Sequence, residues 1–202
     1  VDKFNVHFAL MGNPGTGKTT IARLIGEILF EAGILSVGHT VAVKASELKG
    51  DYNSTTEEKT AQHIRNAMGG VLFVDEAYQL AEDNNQSALT MITAAMSEHD
   101  GEFAVIFAGY EDKIMEMITS NKGNVGLERR FANKIHLDDY TSAELTDIFR
   151  FMAKKDEIKI DESLDKCLPV FIKYYYYSKR KSEGWGNAGE METLLSTLKK
   201  NY

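Results

Sequence analysis

Residues 12–19 read GNPGTGKT, and no other stretch of the chain narrows its fold so far. A mostly apolar run from Asn5 to Met11 leads into it, and Ile21, Leu24, Ile25 and Leu29 follow with helical spacing. Strand, glycine-rich turn, helix is the order that a phosphate-binding loop demands. Backbone N–H groups must turn inward around phosphate oxygens, and residues without a β-carbon at Gly12, Gly15 and Gly17 allow that turn. The helix that follows adds the positive end of its dipole. Lys18 supplies a mobile ammonium for the β and γ phosphates, and the Thr19 hydroxyl is the expected direct ligand of Mg²⁺. The expected nucleotide-binding set is therefore Gly12, Asn13, Pro14, Gly15, Thr16, Gly17, Lys18, Thr19 and Thr20, with packing or capping as the alternative for Thr20.

Further short apolar or β-branched runs occur at Thr40 to Val43, Val71 to Val74, Phe103 to Ala108 and Lys134 to Leu137, separated by segments able to form helices. Alternating β and α units with nearly continuous apolar strands predict an α/β fold whose parallel sheet is covered by helices on both faces. After Tyr140 the strand pattern ends. Thr141 followed by Glu144 has the form of a capping box opening a helix through about Lys155. Asp161 to Lys181 predicts a second helix, kinked or divided at Pro169, and Asn187 to Asn201 a third. The expected organisation is a phosphate-loop α/β domain over residues 1–140 and a small helical lid over 141–202. Four successive tyrosines, Tyr174 to Tyr177, must point in several directions on a helix, so some are exposed or lie at an interface, with core packing as the alternative.

Charge separates the same two regions. Residues 1–140 carry 12 basic and 20 acidic side chains, a balance of −8, and residues 141–202 carry 11 and 10, a balance of +1. The total of −7 argues against non-specific attraction to nucleic acid or anionic membrane. The longest apolar stretch, Phe103 to Ala108, falls far short of the roughly 20 residues of a membrane span. One cysteine, Cys167, excludes an internal disulfide, fits a cytoplasmic compartment, and is expected to pack. The histidines are scattered without metal-ligand spacing, so zinc is not expected. The opening Val1, close before an apolar strand, reads as the start of an excised fragment.

A phosphate loop alone serves GTPases, kinases and ATPases, so a second motif has to discriminate. VLFVDE at residues 71–76 places Asp75 at the carboxyl end of a buried strand, where it can hold Mg²⁺ through water. Glu76, next in sequence, is placed to polarise an attacking water, a role suited to hydrolysis; the alternative is a pair of acids capping the next helix. A guanine-reading NKxD sequence is missing, since residues 121–124 read NKGN.

With GNPGTGKT and VLFVDEA, the chain resembles the AAA+ ATPases. HFALMGNPGTGKTTIARLIGEIL, GGVLFVDEAYQL and FAGY look like the group of stage V sporulation protein K, the red-type Rubisco activases and the type VII secretion ATPases. The resemblance implies strand order 5-1-4-3-2, a ring of usually six subunits, and remodelling or threading of a protein substrate by ATP hydrolysis. It puts Tyr52 of GDYNST on a substrate-gripping pore loop, with Asn53 and Ser54 where the family has an aliphatic residue and glycine. An ordinary surface tyrosine is the alternative. The polar residues Glu82 to Ser87 could form a second loop facing that channel. GLERRF at 126–131 resembles the arginine-finger segment, with Arg130 in the finger's place and Arg129 as second candidate.

Two positions depart from relatives. Tyr110 of FAGY stands where many AAA+ proteins carry an asparagine, and Gly189 of GNAG replaces the lid arginine of GNAR. The lost arginine leaves two readings open: a motor module that hydrolyses ATP in a ring, possessing Lys18, Glu76 and Arg130, or a nucleotide-binding interaction module with little hydrolysis. A nucleic-acid motor is a third reading, disfavoured by the acidic balance.

Overall fold

Apolar side chains alternate between the two faces of the central strands, and both faces are buried there. A computed structural model describes residues 5–50, 53–81, 86–120, 126–181 and 185–200. They form two compact units: the residues through Gly12 with Lys18–His136, and Asn13–Gly17 with the residues from Leu137 onward.

The first unit is built on five parallel strands, β1 (Phe8–Met11), β2 (Thr40–Lys44), β3 (Val71–Asp75), β4 (Ala104–Gly109) and β5 (Asn133–His136), in the order β2-β3-β4-β1-β5. That is the 5-1-4-3-2 order implied by the resemblance, read from the other edge. Central β4 is buried along its whole length, whereas edge strand β5 is nowhere fully buried, which is why its sequence, NKIH, tolerates charge. Ala9, Met11, Leu72, Val74, Val105 and Phe107 face one layer, with Ile64 of α3 (Asn53–Ala67), Leu89 and Ile92 of α4 (Gln86–Glu98) and Ile114 of α5 (Glu111–Thr119). Their neighbours Leu10, Phe73, Ile106 and Ala108 face the other, with Ala22 and Leu29 of α1 (Lys18–Glu31). The result is a three-layer α/β sheet. Two four-residue helices, α2 (Ala45–Leu48) and α6 (Leu127–Arg130), and a 3-10 helix at Ala77–Ala81 complete the regular elements described in this unit.

His7 is buried beside this sheet, where its Nδ1 accepts the Val105 N–H at 3.0 Å. Burial lowers its pKa to about 4, opposed by Asp100 and reinforced by Arg130.

In the second unit, Leu145, Phe149 and Ala153 of one helix (Ser142–Lys155), Leu168 and Ile172 of the next (Glu162–Lys179), and Met191 and Leu195 of the last (Ala188–Lys200) meet around Trp185. The expected capping box is present: the Glu144 N–H donates to Thr141 Oγ1 at 3.3 Å, and the Thr141 N–H to Glu144 Oε2 at 2.7 Å. Pro169 does not divide its helix, which runs unbroken for 18 residues. Proline leaves the carbonyl four residues earlier without an intrahelical donor. That carbonyl belongs to Asp165, and Arg150 Nη2 donates to it at 3.4 Å while Arg150 Nε pairs with the Asp165 carboxylate at 2.7 Å. Cys167 corrects a second expectation: it is exposed, on the outer side of the turn that buries Leu168. Of the tyrosine run, Tyr174 and Tyr177 are exposed and Tyr175 and Tyr176 half-buried. Among the described residues no helix is long and apolar enough to cross a membrane.

Candidate functional site

Because all five strands are parallel, their carboxyl ends share one edge of the sheet. The chain leaves β1 toward β2 on one side and leaves β4 toward β5 on the other, so the strand order reverses between β1 and β4. Open α/β sheets place ligands outside the strand ends at such a reversal. Gly12 follows β1 there, its N–H donating to the Gly109 carbonyl at the end of β4 at 3.1 Å. Val74 and Ala9 both pair with Phe107, so β1 reaches one residue further than β3 and their tips lie two strand spacings or about 10 Å apart across the sheet.

Lys18 and Thr19 open α1 and are half-buried, and the Lys18 ammonium donates to the Gly12 carbonyl at 2.8 Å. Thr20 is exposed, which removes packing as its role. Asp75 and Glu76 are half-buried at the tip of β3. Asp75 Oδ1 accepts the Glu76 N–H at 3.0 Å, and Gln79 Nε2 donates to Glu76 Oε2 at 3.2 Å. Glu76 has φ 53, a left-handed backbone that non-glycine residues seldom adopt and that clusters at functional sites. Tyr110 caps α5 immediately beyond β4, and Lys113 lies over both its ring and that of Tyr78, at 5.3 and 4.5 Å from the centroids. Burial and the nearby Glu76 push the Tyr78 hydroxyl pKa upward.

In the second unit, loop residues Asn13–Gly17 are bound by a cluster that sequence reasoning missed. Asn187 is fully buried with φ 47, and its Nδ2 donates to the Pro14 carbonyl at 3.1 Å and to Asp139 Oδ1 at 2.8 Å. Its Oδ1 accepts the Tyr140 N–H at 3.1 Å. The Ala188 N–H donates to the Gly15 carbonyl, and the Tyr140 hydroxyl to the Thr16 carbonyl, each at 3.2 Å. Asn13 Nδ2 donates to Asp139 Oδ1 at 3.0 Å. Gly15, at φ +72, allows this approach, since a β-carbon there would collide with the Gly186 carbonyl. The available clue was asparagine within a glycine-rich turn, a residue suited to left-handed backbone.

Arg130 is half-buried in the first unit, with Nη1 on the Gly126 carbonyl at 3.1 Å and Nη2 on Ser97 Oγ. Arg129 is exposed. Gly189 is the second residue of the last helix, with nothing within 4 Å of where a β-carbon would stand. Tyr52 lies outside the described residues, as do residues 82–85 of the suggested second loop; Gln86 and Ser87 begin α4.

Residues 8–138 match the family described as "ATPase family associated with various cellular activities (AAA)". The chain is 38% identical over 174 residues to the chloroplastic ribulose bisphosphate carboxylase/oxygenase activase of Cyanidioschyzon merolae, covering 84% of this chain and 57% of that protein. It is 36% identical over 176 residues to stage V sporulation protein K of Bacillus subtilis, covering 85% of this chain and 54% of the relative. The chain thus spans little more than half the length of these relatives. Among solved structures, the FIGL-1 AAA domain in complex with ADP superposes with a TM-score of 0.56 at 17% identity, over 84% of this chain and 58% of that one. The Thermotoga maritima RuvB P216G mutant does so with 0.58 at 21%, over 96% and 57%. These two likenesses show the fold. With the family match spanning loop, strand-end acids and β5, the chain belongs to the AAA family of ATPases.

Proposed function

We propose that this chain binds ATP with Mg²⁺ and hydrolyses it as one subunit of a ring, a hexamer by resemblance, that remodels or threads a protein substrate. The observation that carries the reading is the sheet edge. The glycine loop leaves β1 there, and β3 ends there on Asp75 and Glu76, with Glu76 in the left-handed backbone of φ 53. Gly12, Asn13, Pro14, Gly15, Thr16, Gly17, Lys18, Thr19 and Thr20 line the nucleotide.

The oxygen donors Thr19 and Asp75 suit a hard cation, and would hold Mg²⁺ directly and through water respectively. The ion would neutralise charge on the phosphate oxygens. Lys18 exchanges its bond to the Gly12 carbonyl for the β and γ phosphates. Glu76, released from Gln79, orients a water and accepts its proton. Arg130 leaves Ser97 and Gly126 for the γ-phosphate of a neighbouring subunit, making turnover depend on assembly. Residues 1–140 act as the ATPase domain and 141–202 as its lid. Tyr52 is the proposed substrate grip. The name of the Cyanidioschyzon merolae relative, an activase of an enzyme, supports a protein substrate, and the acidic balance of −7 disfavours nucleic acid. A cytoplasmic location is part of the proposal, on the single cysteine.

A second reading rests on Gly189: a nucleotide-binding module with little hydrolysis. ATP turnover measured against protein concentration separates the two. The motor reading predicts turnover that rises with concentration and falls about 100-fold or more in Glu76→Gln and Arg130→Ala, with nucleotide still bound. Negligible turnover in all three proteins, with nucleotide bound, selects the binding module. The space around Gly189 lets Gly189→Arg restore a lid guanidinium, with faster turnover as the expected result.

A further inference from the structure

In a trans peptide, C=O and the following N–H point in opposite directions across one rigid plane. Three successive planes of the glycine loop have their carbonyl ends held: Pro14 by the Asn187 side chain, Gly15 by the Ala188 N–H and Thr16 by the Tyr140 hydroxyl. The N–H groups of Gly15, Thr16 and Gly17, which share those planes, are therefore all directed away from these partners. Each peptide is fixed by its back, so its donor is aimed before any anion arrives.

We propose that Asn187 and Tyr140 are positioning residues for the phosphate loop. By holding its carbonyls they pre-orient its amides, and they couple residues 137–202 to phosphate binding without a lid arginine. Asp139 braces the arrangement by accepting from both Asn187 Nδ2 and Asn13 Nδ2. The buried Asn187 carries three of these bonds, one to the loop, one to Asp139 and one from Tyr140, so its amide orientation is determined on every side. Amides already oriented lower the ordering cost of binding. Coupling is reciprocal, so phosphate on the loop also steadies the turn at Asn187.

The inference rests on reading the loop as a phosphate site, and the test keeps the two separable. Binding of the fluorescent analogue mant-ADP with Mg²⁺ is measured for the whole chain, for Tyr140→Phe, which removes one hydroxyl, and for Asn187→Gly, which keeps the left-handed backbone and removes the clasp. The expected loss of affinity is about fivefold for Tyr140→Phe and about tenfold or more for Asn187→Gly, the scale of one and several buried hydrogen bonds. Without nucleotide, isotope-labelled glycine in Tyr140→Phe shows the Gly15 and Gly17 amide resonances shifted, while those of Gly33 and Gly101 stay in place. A merely structural loss would follow the melting temperature and leave those two resonances where they were.

If the unaltered chain binds mant-ADP and both variants bind it equally well, the positioning role is overturned. So it is if the Gly15 and Gly17 resonances do not move. If the unaltered chain binds no mant-ADP, the phosphate reading falls first, and this inference with it.

Discussion

Phe73, Phe103, Phe107 and Phe131 of the sheet unit are at most 1% exposed, whereas Phe151, Phe171, Tyr174 and Tyr177 of the helical unit are 48–76% exposed. A sheet covered on both faces gives each aromatic ring two layers to fill; Phe107 stacks on Phe131 at 4.4 Å. Three helices around one small core bury one face each, on the middle helix the face of Leu168 and Ile172, so the opposite side of that helix remains outside. Phenylalanine therefore fills the core at these four positions of the sheet unit, whereas in the helical unit Phe149 is buried while Phe151 and Phe171 form surface. Sequence hydrophobicity alone does not tell these apart, but position in the layers does.

The sharpest way to break this comparison is Phe107→Ala, expected to cost about 3–5 kcal/mol, read as a drop in the denaturant midpoint of the sheet unit. Next comes pH. His7 ionises near 4 when folded and near 6.5 in its ordinary state, so the unfolded chain binds more protons between those values. The stabilisation is fully present above 6.5 and is lost as pH falls toward 4, by up to about 3 kcal/mol. His7→Gln should flatten that part of the stability–pH curve. In the helical unit, Thr141→Ala removes the capping box for about 1 kcal/mol. Trp185 is the single tryptophan, so its fluorescence reports that unit's unfolding directly. Smallest is Phe171→Ser, expected within about 0.5 kcal/mol of the unaltered chain. A cost matching that of Phe107→Ala would show that the exposed stripe is packed in solution and would refute the contrast.

Much of the sheet was legible because buried parallel strands are written as unbroken apolar runs, and Phe103 to Ala108 gave β4 nearly to the residue. Thr141 and Glu144 likewise announced their helix, since a capping box is local chemistry. Pro169 misled because its remedy, Arg150, lies 15 residues from the Asp165 carbonyl that needs it. Cys167 misled because small apolar character does not choose a helix face. At the site, the loop and the strand-end acids are contiguous in sequence and could be read directly. Asn187 could not, because its importance lies in bonds to Pro14, Asp139 and Tyr140, of which Pro14 is 173 residues away. The left-handed backbone of Glu76 was equally hidden, as glutamate carries no sequence sign of it.

The central claim is that phosphate settles on the loop between Gly12 and Thr19 with Lys18 against it, and calorimetric titration of the chain and of Lys18→Ala with ATP and Mg²⁺ tests it most directly. Saturable binding to the unaltered chain, at least about 100-fold weaker in Lys18→Ala, is the predicted result. Equal affinity in the two proteins, or no heat from the unaltered chain at millimolar nucleotide, would contradict the account.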